Sequence, residues 1–111
     1  MRRRSLGKSG IEVSEVGLGA WAIGGNMWGG QRDADARAAL TRARERGVNL
    51  VDTALVYGGG HSERLVGAFA RETGWHDLVI ATKVPPKNMQ WPAAPGTALR
   101  DCYPADWIRS S

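Results

Sequence analysis

The sequence has almost no cysteine, and this excludes two kinds of structure. Cys102 is the only cysteine in 111 residues, so neither an internal disulfide nor a CxxC metal-binding pair can form. Proteins without disulfides are typical of reducing compartments. We therefore expect a cytoplasmic protein that has no metal site.

Long apolar runs and a strong charge imbalance are also missing. No stretch approaches the roughly 18 apolar residues that a membrane helix requires. The basic run Arg2–Arg4 could begin a signal peptide, but the polar residues Lys8 and Glu12 interrupt the apolar segment that would have to follow. Lys and Arg outnumber Asp and Glu by only 15 to 11, and no second basic cluster with interleaved aromatics follows. We expect no membrane or nucleic-acid partner.

The segments that are present alternate between strand-like and helix-like patterns. Residues 5–16 predict a hairpin. The predicted strands are residues 15–19, 48–52 and 78–83, and the predicted helices are residues 33–46 and 62–73. No helix is expected between Gly19 and Asp33. Strands that alternate with helices are typical of a parallel α/β sheet.

Both predicted helices have recognisable ends. Asp33 can cap the first helix by accepting a backbone N–H, and Gly47 and Gly74 can adopt the left-handed conformation that ends a helix. The residues expected to face the sheet are Ala36, Ala39, Leu40 and Ala43 in the first helix and Leu65, Val66 and Phe69 in the second.

The last part of the chain contains a proline-rich loop and the beginning of another helix. Prolines 85, 86, 92 and 95 mark the loop, and Pro104 precedes a helical pattern that is still running at Ser111. We interpret residues 1–111 as the N-terminal part of a single domain, with no second domain.

Two glycine-rich segments could bind an anion. Residues 17–22 match the dinucleotide fingerprint G-x-G-x-x-A, which requires that the glycine turn open directly into a helix. Gly24 and Gly25 follow instead, which disfavours a Rossmann loop. Gly58–Gly60 precede the second helix and could hold an anion at its N-terminus, although a plain tight turn is favoured.

Three polar residues follow predicted strands at the edge where parallel α/β proteins place their chemistry. Asp52 ends the second parallel strand, Tyr57 lies in the following loop, and Lys83 ends the third. Strand alternation puts Asp52 on the face of Val48 and Leu50, and Lys83 on the face of Val79 and Ala81. Because an unpaired buried charge is costly, we expect Asp52 and Lys83 to pair.

A lysine held cationic by an aspartate can strengthen a neighbouring phenol as an acid. A free phenol titrates near 10, which makes it a weak proton donor at neutral pH, and a nearby cation favours its ionised form. Tyr57 is therefore a candidate general acid. The alternative is a buried ion pair beside an ordinary loop tyrosine.

The sequence around these residues resembles the aldo-keto reductase family. Residues 52–63 resemble its signature D-T-A-x-x-Y-G-x-G-x-S-E, and Ala81-Thr82-Lys83 resembles a second signature. Residues 3–19 are similar to the family's N-terminal hairpin and first strand, and residues 103–108 to the start of its third barrel helix.

This resemblance implies a (β/α)₈ TIM-type barrel, of which the chain holds the hairpin and about the first three β/α units. It implies reduction of a small carbonyl substrate, an aldehyde or ketone, by hydride transfer from NADPH or, less often, NADH. Tyr57 would be the proton donor, Lys83 would strengthen it as an acid, and Asp52 would hold Lys83. Gly19, Trp21 and Asp52 would contact the cofactor. The family's catalytic histidine is expected on a strand beyond Ser111.

The two histidines of the chain are poor substitutes for that residue. His76 follows the second helix and so belongs to the opposite end of the barrel, and His61 is expected to be a solvated loop residue. Trp21, Trp28 and Trp91 follow strands and could line the substrate pocket, the alternative for each being ordinary loop packing.

Two further interpretations compete with an active reductase. The chain resembles the β-subunits of potassium channels, which belong to the same family and act partly as regulators. The 111 residues could also be inactive by themselves, because a barrel of this kind typically needs about 250 residues. The substrate and the oligomeric state cannot be inferred from the sequence.

Overall fold

A computed structural model describes residues 1–24 and 33–83. The elements in chain order are strands β1 (Arg3–Ser5), β2 (Glu12–Ser14) and β3 (Leu18–Gly19), a 3₁₀ turn (Trp21–Gly24), helix α1 (Asp33–Glu45), strand β4 (Leu50–Asp52), helix α2 (His61–Thr73) and strand β5 (Val79–Ala81). The predicted proline-rich loop and third helix lie outside the described residues.

The described strands form two sheets. Strands β1 and β2 form an antiparallel hairpin, while β3, β4 and β5 form a parallel sheet in that order. Its register places Gly19 beside Asp52 and Asp52 beside Ala81. The predicted βαβ order is confirmed, and the strand ends that carry the polar residues meet at one edge.

The helices cover one face of the parallel sheet, as their apolar stripes predict. Ala36 and Leu40 of α1 and Leu65, Val66 and Phe69 of α2 are buried. They pack with Val51, which is fully buried at the centre of β4. Both helices end where predicted, since Gly47 and Gly74 have φ angles of +83° and +61°.

The helix beginnings differ from expectation in two ways. A 3₁₀ turn over Trp21–Gly24 follows β3, where no helix was expected. Its apolar residue Ile23 is buried against the helical core, which stabilises a turn too short to show periodicity. Asp33, expected as an N-cap, is the first described residue of α1, and its carboxylate pairs with His61 Nε2 at 2.7 Å.

The other face of the parallel sheet is less buried than the helical face. Leu50 and Val79, which the sequence places on the same face as Asp52 and Lys83, are half-buried, and Ala81 is exposed. Val48, assigned to that face as well, is only 7% exposed. Val48 lies outside β4, next to the buried side chain that attaches the hairpin.

A buried asparagine attaches the hairpin to the parallel sheet. Asn49 is 1% exposed, and its Nδ2 donates to the carbonyls of Glu12 (3.0 Å) and Asp77 (3.1 Å). Its Oδ1 accepts the Ser14 N–H at 2.6 Å. The side-chain amide thus uses both N–H donors and its carbonyl to join three separate segments. An outer ion pair, Arg3–Asp77 at 2.8 Å, closes the same junction.

Candidate active site

The predicted polar residues lie together at the carboxyl edge of the parallel sheet. Lys83 Nζ donates a hydrogen bond to Asp52 Oδ1 and a second one, of 3.0 Å, to the carbonyl of Thr53. The hydrogen bond that Lys83 donates to Asp52 is the main reason that the pKa of Lys83 lies above its usual value. Partial desolvation opposes this rise, and the charge of Asp52 and the neighbouring Tyr57 add to it. Lys83 is therefore held as a cation at neutral pH.

The Asp52–Lys83 pair is more exposed than the sequence suggested. The side chains are 55% and 54% exposed, so the expectation of a buried ion pair is wrong for this structure. The pair is held by the hydrogen bonds of Lys83, and not by burial in a low-dielectric interior.

Tyr57 lies next to the ammonium group. Lys83 Nζ is 5.4 Å from the centre of the Tyr57 ring, which is half-buried. Both backbone polar groups of Tyr57 are hydrogen-bonded. Its N–H donates to the Ala54 carbonyl at 3.1 Å, and its carbonyl accepts the Ser62 N–H at 3.2 Å. A phenol, an ammonium and a carboxylate thus converge, as predicted.

The loop between Tyr57 and α2 turns through three consecutive left-handed glycines. Gly58, Gly59 and Gly60 have φ angles of +72°, +61° and +94°. The left-handed φ opposes any side chain at Gly60, whereas the atom 2.9 Å from its Cβ position is the flexible end of Arg64. This geometry is that of a tight turn, the favoured interpretation of the segment.

A chain of buried hydroxyl groups joins this loop to β3 and β4. Ser62 Oγ donates to the carbonyl of Ala20 at 3.1 Å and lies 2.8 Å from Thr53 Oγ1. A serine hydroxyl has one hydrogen, so Thr53 must be the donor to Ser62. Both side chains are fully buried. These hydrogen bonds fix the position of Thr53, which follows Asp52, relative to Ala20, which follows Gly19.

Thr53 and Ser62 were given no role in the sequence analysis. Both stand at fixed positions of the signature, and that is the one signal that could have identified them. Asn49 was missed because its partners lie 28 to 37 residues away along the chain.

The residues predicted to contact a nicotinamide cofactor border an open space. Gly19 lies beside Asp52 in the sheet, and a Cβ atom built on Gly19 would meet nothing within 4 Å. Trp21 follows two residues later in the 3₁₀ turn and is 48% exposed. A glycine that has no close neighbour among the described residues, an exposed carboxylate and an exposed indole fit a flat cofactor ring at this edge.

The other candidates do not join this group. Trp28 and Trp91 lie outside the described residues. His76 is exposed between α2 and β5, at the end of the sheet away from Asp52, as predicted. His61 is not a loop residue: it begins α2 and pairs with Asp33 on the helical side of the molecule.

Comparison with known proteins places these features in a family. A model of the Aldo/keto reductase family matches residues 15–102. The chain is 46% identical over 84 residues to the aldo-keto reductase YhdN of Bacillus subtilis (strain 168), covering 75% of this chain and 25% of that protein. It is 42% identical over 87 residues to a probable voltage-gated potassium channel subunit beta of Arabidopsis thaliana, with 76% and 25% covered.

The fold agrees with the sequence match. The holo form of aldo-keto reductase AKR11C1 from Bacillus halodurans superposes with a TM-score of 0.65 at 34% identity, covering 78% of this chain and 26% of that one. The chain thus spans about a quarter of the length of these relatives. Its hairpin and three parallel strands correspond to part of a (β/α)₈ barrel. The chain belongs to the aldo/keto reductase family.

Proposed function

We propose that the protein reduces aldehydes or ketones by hydride transfer from a nicotinamide cofactor, with Tyr57 as the proton donor. The observation that carries the proposal is the convergence of Asp52, Tyr57 and Lys83 at the carboxyl edge of the parallel sheet. Membership of the aldo/keto reductase family implies an oxidoreductase that uses a nicotinamide cofactor. The proposed cofactor is NADPH or, less often, NADH, as the family resemblance implies.

Each residue of the group has a distinct task. A bound nicotinamide supplies the hydride that the carbonyl carbon receives. Tyr57 donates its phenolic proton to the carbonyl oxygen, which leaves a phenolate on the ring. Lys83 stabilises that phenolate, because its ammonium lies 5.4 Å from the ring centre. Asp52 and the Thr53 carbonyl hold the ammonium in place.

Gly19, Trp21 and Asp52 form the cofactor side of the proposed site. The open space above Gly19 admits the ring next to the Asp52 carboxylate. Trp21 follows Gly19 by two residues, and its exposed indole would offer an apolar wall to the ring. In this proposal Trp28 and Trp91 would complete the wall of the substrate pocket.

The test is loss of NADPH absorbance with a panel of small aldehydes, ketones and quinones. The assay is run on the 111-residue chain and on the longer product of its reading frame, should the frame extend past Ser111. In a protein that turns over, Tyr57→Phe is expected to lower the rate by about 10²- to 10⁴-fold, the usual contribution of a general acid. Cofactor binding should change little, because the ring is retained.

A matched pair of lysine variants separates site chemistry from a general loss of charge. Lys83→Met is expected to reduce turnover strongly, whereas Lys8→Met, at the exposed tip of the hairpin, should leave it unchanged. A Tyr57→Phe rate within about threefold of wild type would show that another group supplies the proton.

A regulatory subunit is the second candidate function. It is favoured by the 42% identity to the probable potassium channel subunit beta from Arabidopsis. Asp52, Tyr57 and Lys83 do not discriminate between the two functions. A folded protein that binds NADPH but reduces no carbonyl in the panel would favour this second function.

A further inference from the structure

Thr82 is bound by helix α2 on the side of the sheet opposite to Lys83. Its Oγ1 donates a hydrogen bond to Glu63 Oε1 in the first turn of α2. Side chains alternate between the two faces of a strand. Thr82 therefore contacts the helical layer while the next residue, Lys83, reaches Asp52 on the other face.

Within the part of the chain that the structure describes, few backbone hydrogen bonds hold the segment that carries Lys83. Strand β5 ends at Ala81, whose carbonyl accepts the Thr53 N–H at 2.8 Å. Among the described residues, no backbone hydrogen bond holds Thr82 or Lys83. A lysine side chain has four rotatable bonds and much rotamer entropy. The position of the Lys83 ammonium therefore depends on what holds the backbone of Thr82 and Lys83.

The other end of this contact is firmly placed. Glu63 is half-buried and follows Ser62, whose hydroxyl lies within the buried chain to Thr53 and Ala20. A carboxylate in the first turn of a helix is also stabilised by the helix dipole. The first turn of α2 therefore makes two contacts. Ser62 holds the Tyr57 loop, and Glu63 reaches the segment after β5 that carries Lys83.

We propose that Glu63 is a positioning residue for Lys83, acting through the hydroxyl of Thr82. By holding Thr82 to α2, Glu63 keeps the Lys83 ammonium on Asp52 and beside the Tyr57 ring. The inference rests on the proposed function, in which Lys83 supports proton donation by Tyr57, and it adds a residue that contacts neither substrate nor cofactor.

The test measures the titration of Lys83 by competitive acetylation. Only the neutral amine reacts, so the labelling of Lys83 against pH, read by peptide mass spectrometry, reports its ionisation. Lys8 at the hairpin tip is the internal reference within the same molecules. Wild-type Lys83 should be labelled less than Lys8 below pH 10, because the Asp52 hydrogen bond raises its pKa. Asp52→Asn should abolish this difference.

Glu63→Ala and Thr82→Val should each raise the Lys83-to-Lys8 labelling ratio by about two- to fivefold, the range expected for an exposed pair. The double variant should add nothing further, since both changes remove one contact. Glu63→Gln keeps an acceptor oxygen and should restore the wild-type ratio. Glu45→Ala removes an exposed carboxylate elsewhere and should have no effect.

The outcomes separate the two proposals. A wild-type Lys83 that is labelled like Lys8, with no response to Asp52→Asn, would overturn the Asp52–Lys83 pairing and the proposed function with it. A protected Lys83 that is unchanged by Glu63→Ala would overturn the positioning role alone. Equal effects of Glu63→Gln and Glu63→Ala would also overturn it, because the contact requires only an acceptor.

Discussion

At the scale of single residues, the backbone conformation of a glycine decides whether alanine can replace it. Gly60 combines a φ of +94° with an arginine nitrogen 2.9 Å from its ideal Cβ position. Gly67, inside α2, has helical geometry, and its Cβ position meets only the flexible end of Arg71 at 3.5 Å. The same substitution at the two positions should therefore have opposite effects.

We expect Gly60→Ala to destabilise the start of α2 by about 1–2 kcal/mol, because alanine is strained in the left-handed region. Gly67→Ala should stabilise the helix by roughly 0.5–1 kcal/mol, since it removes the entropy cost of a helical glycine. Hydrogen exchange of the α2 amides measures both changes. The prediction fails at Gly60 if its alanine variant exchanges no faster than wild type.

Several residue-level features of the site follow from local sequence, while others depend on distant partners. The pairing of Asp52 with Lys83 was predictable, since Asp52 ends β4 and Lys83 follows the neighbouring parallel strand by two residues, on the same face. The pairing of His61 with Asp33 was not, because it depends on how two helices 28 residues apart begin side by side. The exposure of Asp52 and Lys83 depends on what covers the sheet, which strand patterns do not report.

At the scale of elements, the junction of the hairpin with the parallel sheet depends on the amide of Asn49. Replacing it with alanine leaves the Ser14 N–H and two carbonyls without their partner, at a cost of roughly 2–4 kcal/mol. Asn49→Asp keeps the shape but turns an acceptor toward the carbonyls of Glu12 and Asp77. We expect both variants to release the hairpin.

The Ser14 amide reports this directly, because its N–H donates to Asn49 Oδ1. Its hydrogen exchange should accelerate by at least about tenfold in both variants. Thr41→Ala is the control, since the exposed Thr41 hydroxyl bonds only to the Arg37 carbonyl of its own helix. Unchanged Ser14 protection in Asn49→Ala would mean that the hairpin is held by other contacts.

The outer ion pair of the same junction has a pH dependence of known sign. The hydrogen bond from Arg3 is the main cause that holds the pKa of Asp77 below 3.8, with partial desolvation opposing it and the charges of Arg3 and Arg44 assisting. A lowered pKa means that the contribution to stability is present above the unfolded-state value. It is lost as the pH falls through the folded-state value.

The carboxyl carbon resonance of Asp77 should therefore titrate with a midpoint below 3.8. Arg3→Gln should move the midpoint up, whereas Arg2→Gln, which contacts Glu15 and not Asp77, should leave it in place. A midpoint that is insensitive to Arg3→Gln would show that the pair does not persist in solution.

The elements themselves were predictable because their signals are local. Apolar periodicity and terminal glycines predict both helices to within a residue or so, and the parallel order follows from strand–helix alternation. The 3₁₀ turn at Trp21–Gly24 was missed because a single turn has no periodicity. It is stabilised instead by the burial of Ile23 against α-helical residues.

At the scale of the whole molecule, one strand remains poorly covered. Ile80 lies beside the fully buried Val51 in the sheet register but is 44% exposed. Leu50 and Val79 are half-buried on the opposite face. Among the described residues β5 is paired only with β4, and an exposed apolar strand with a free edge is a template for association.

We expect the isolated 111-residue chain to self-associate at micromolar concentration and to bind NADPH more weakly than micromolar. Sedimentation velocity and a fluorescence titration measure the two properties. Ile80→Lys should reduce association, whereas Leu6→Lys, at a similarly exposed apolar residue of the hairpin, should not. A monomeric chain with micromolar NADPH affinity would contradict both expectations.

The bonds of Asn49 also bear on the order in which the molecule assembles. Its amide group joins residues 12, 14 and 77, so the chain must bring together segments separated by 28 to 37 positions before the bonds can form. Closing such loops costs entropy that the helices, built from local contacts, do not incur. The hairpin should therefore dock after α1, β4 and α2 have packed, and changes at Asn49 should mainly accelerate unfolding while leaving the folding rate almost unaltered.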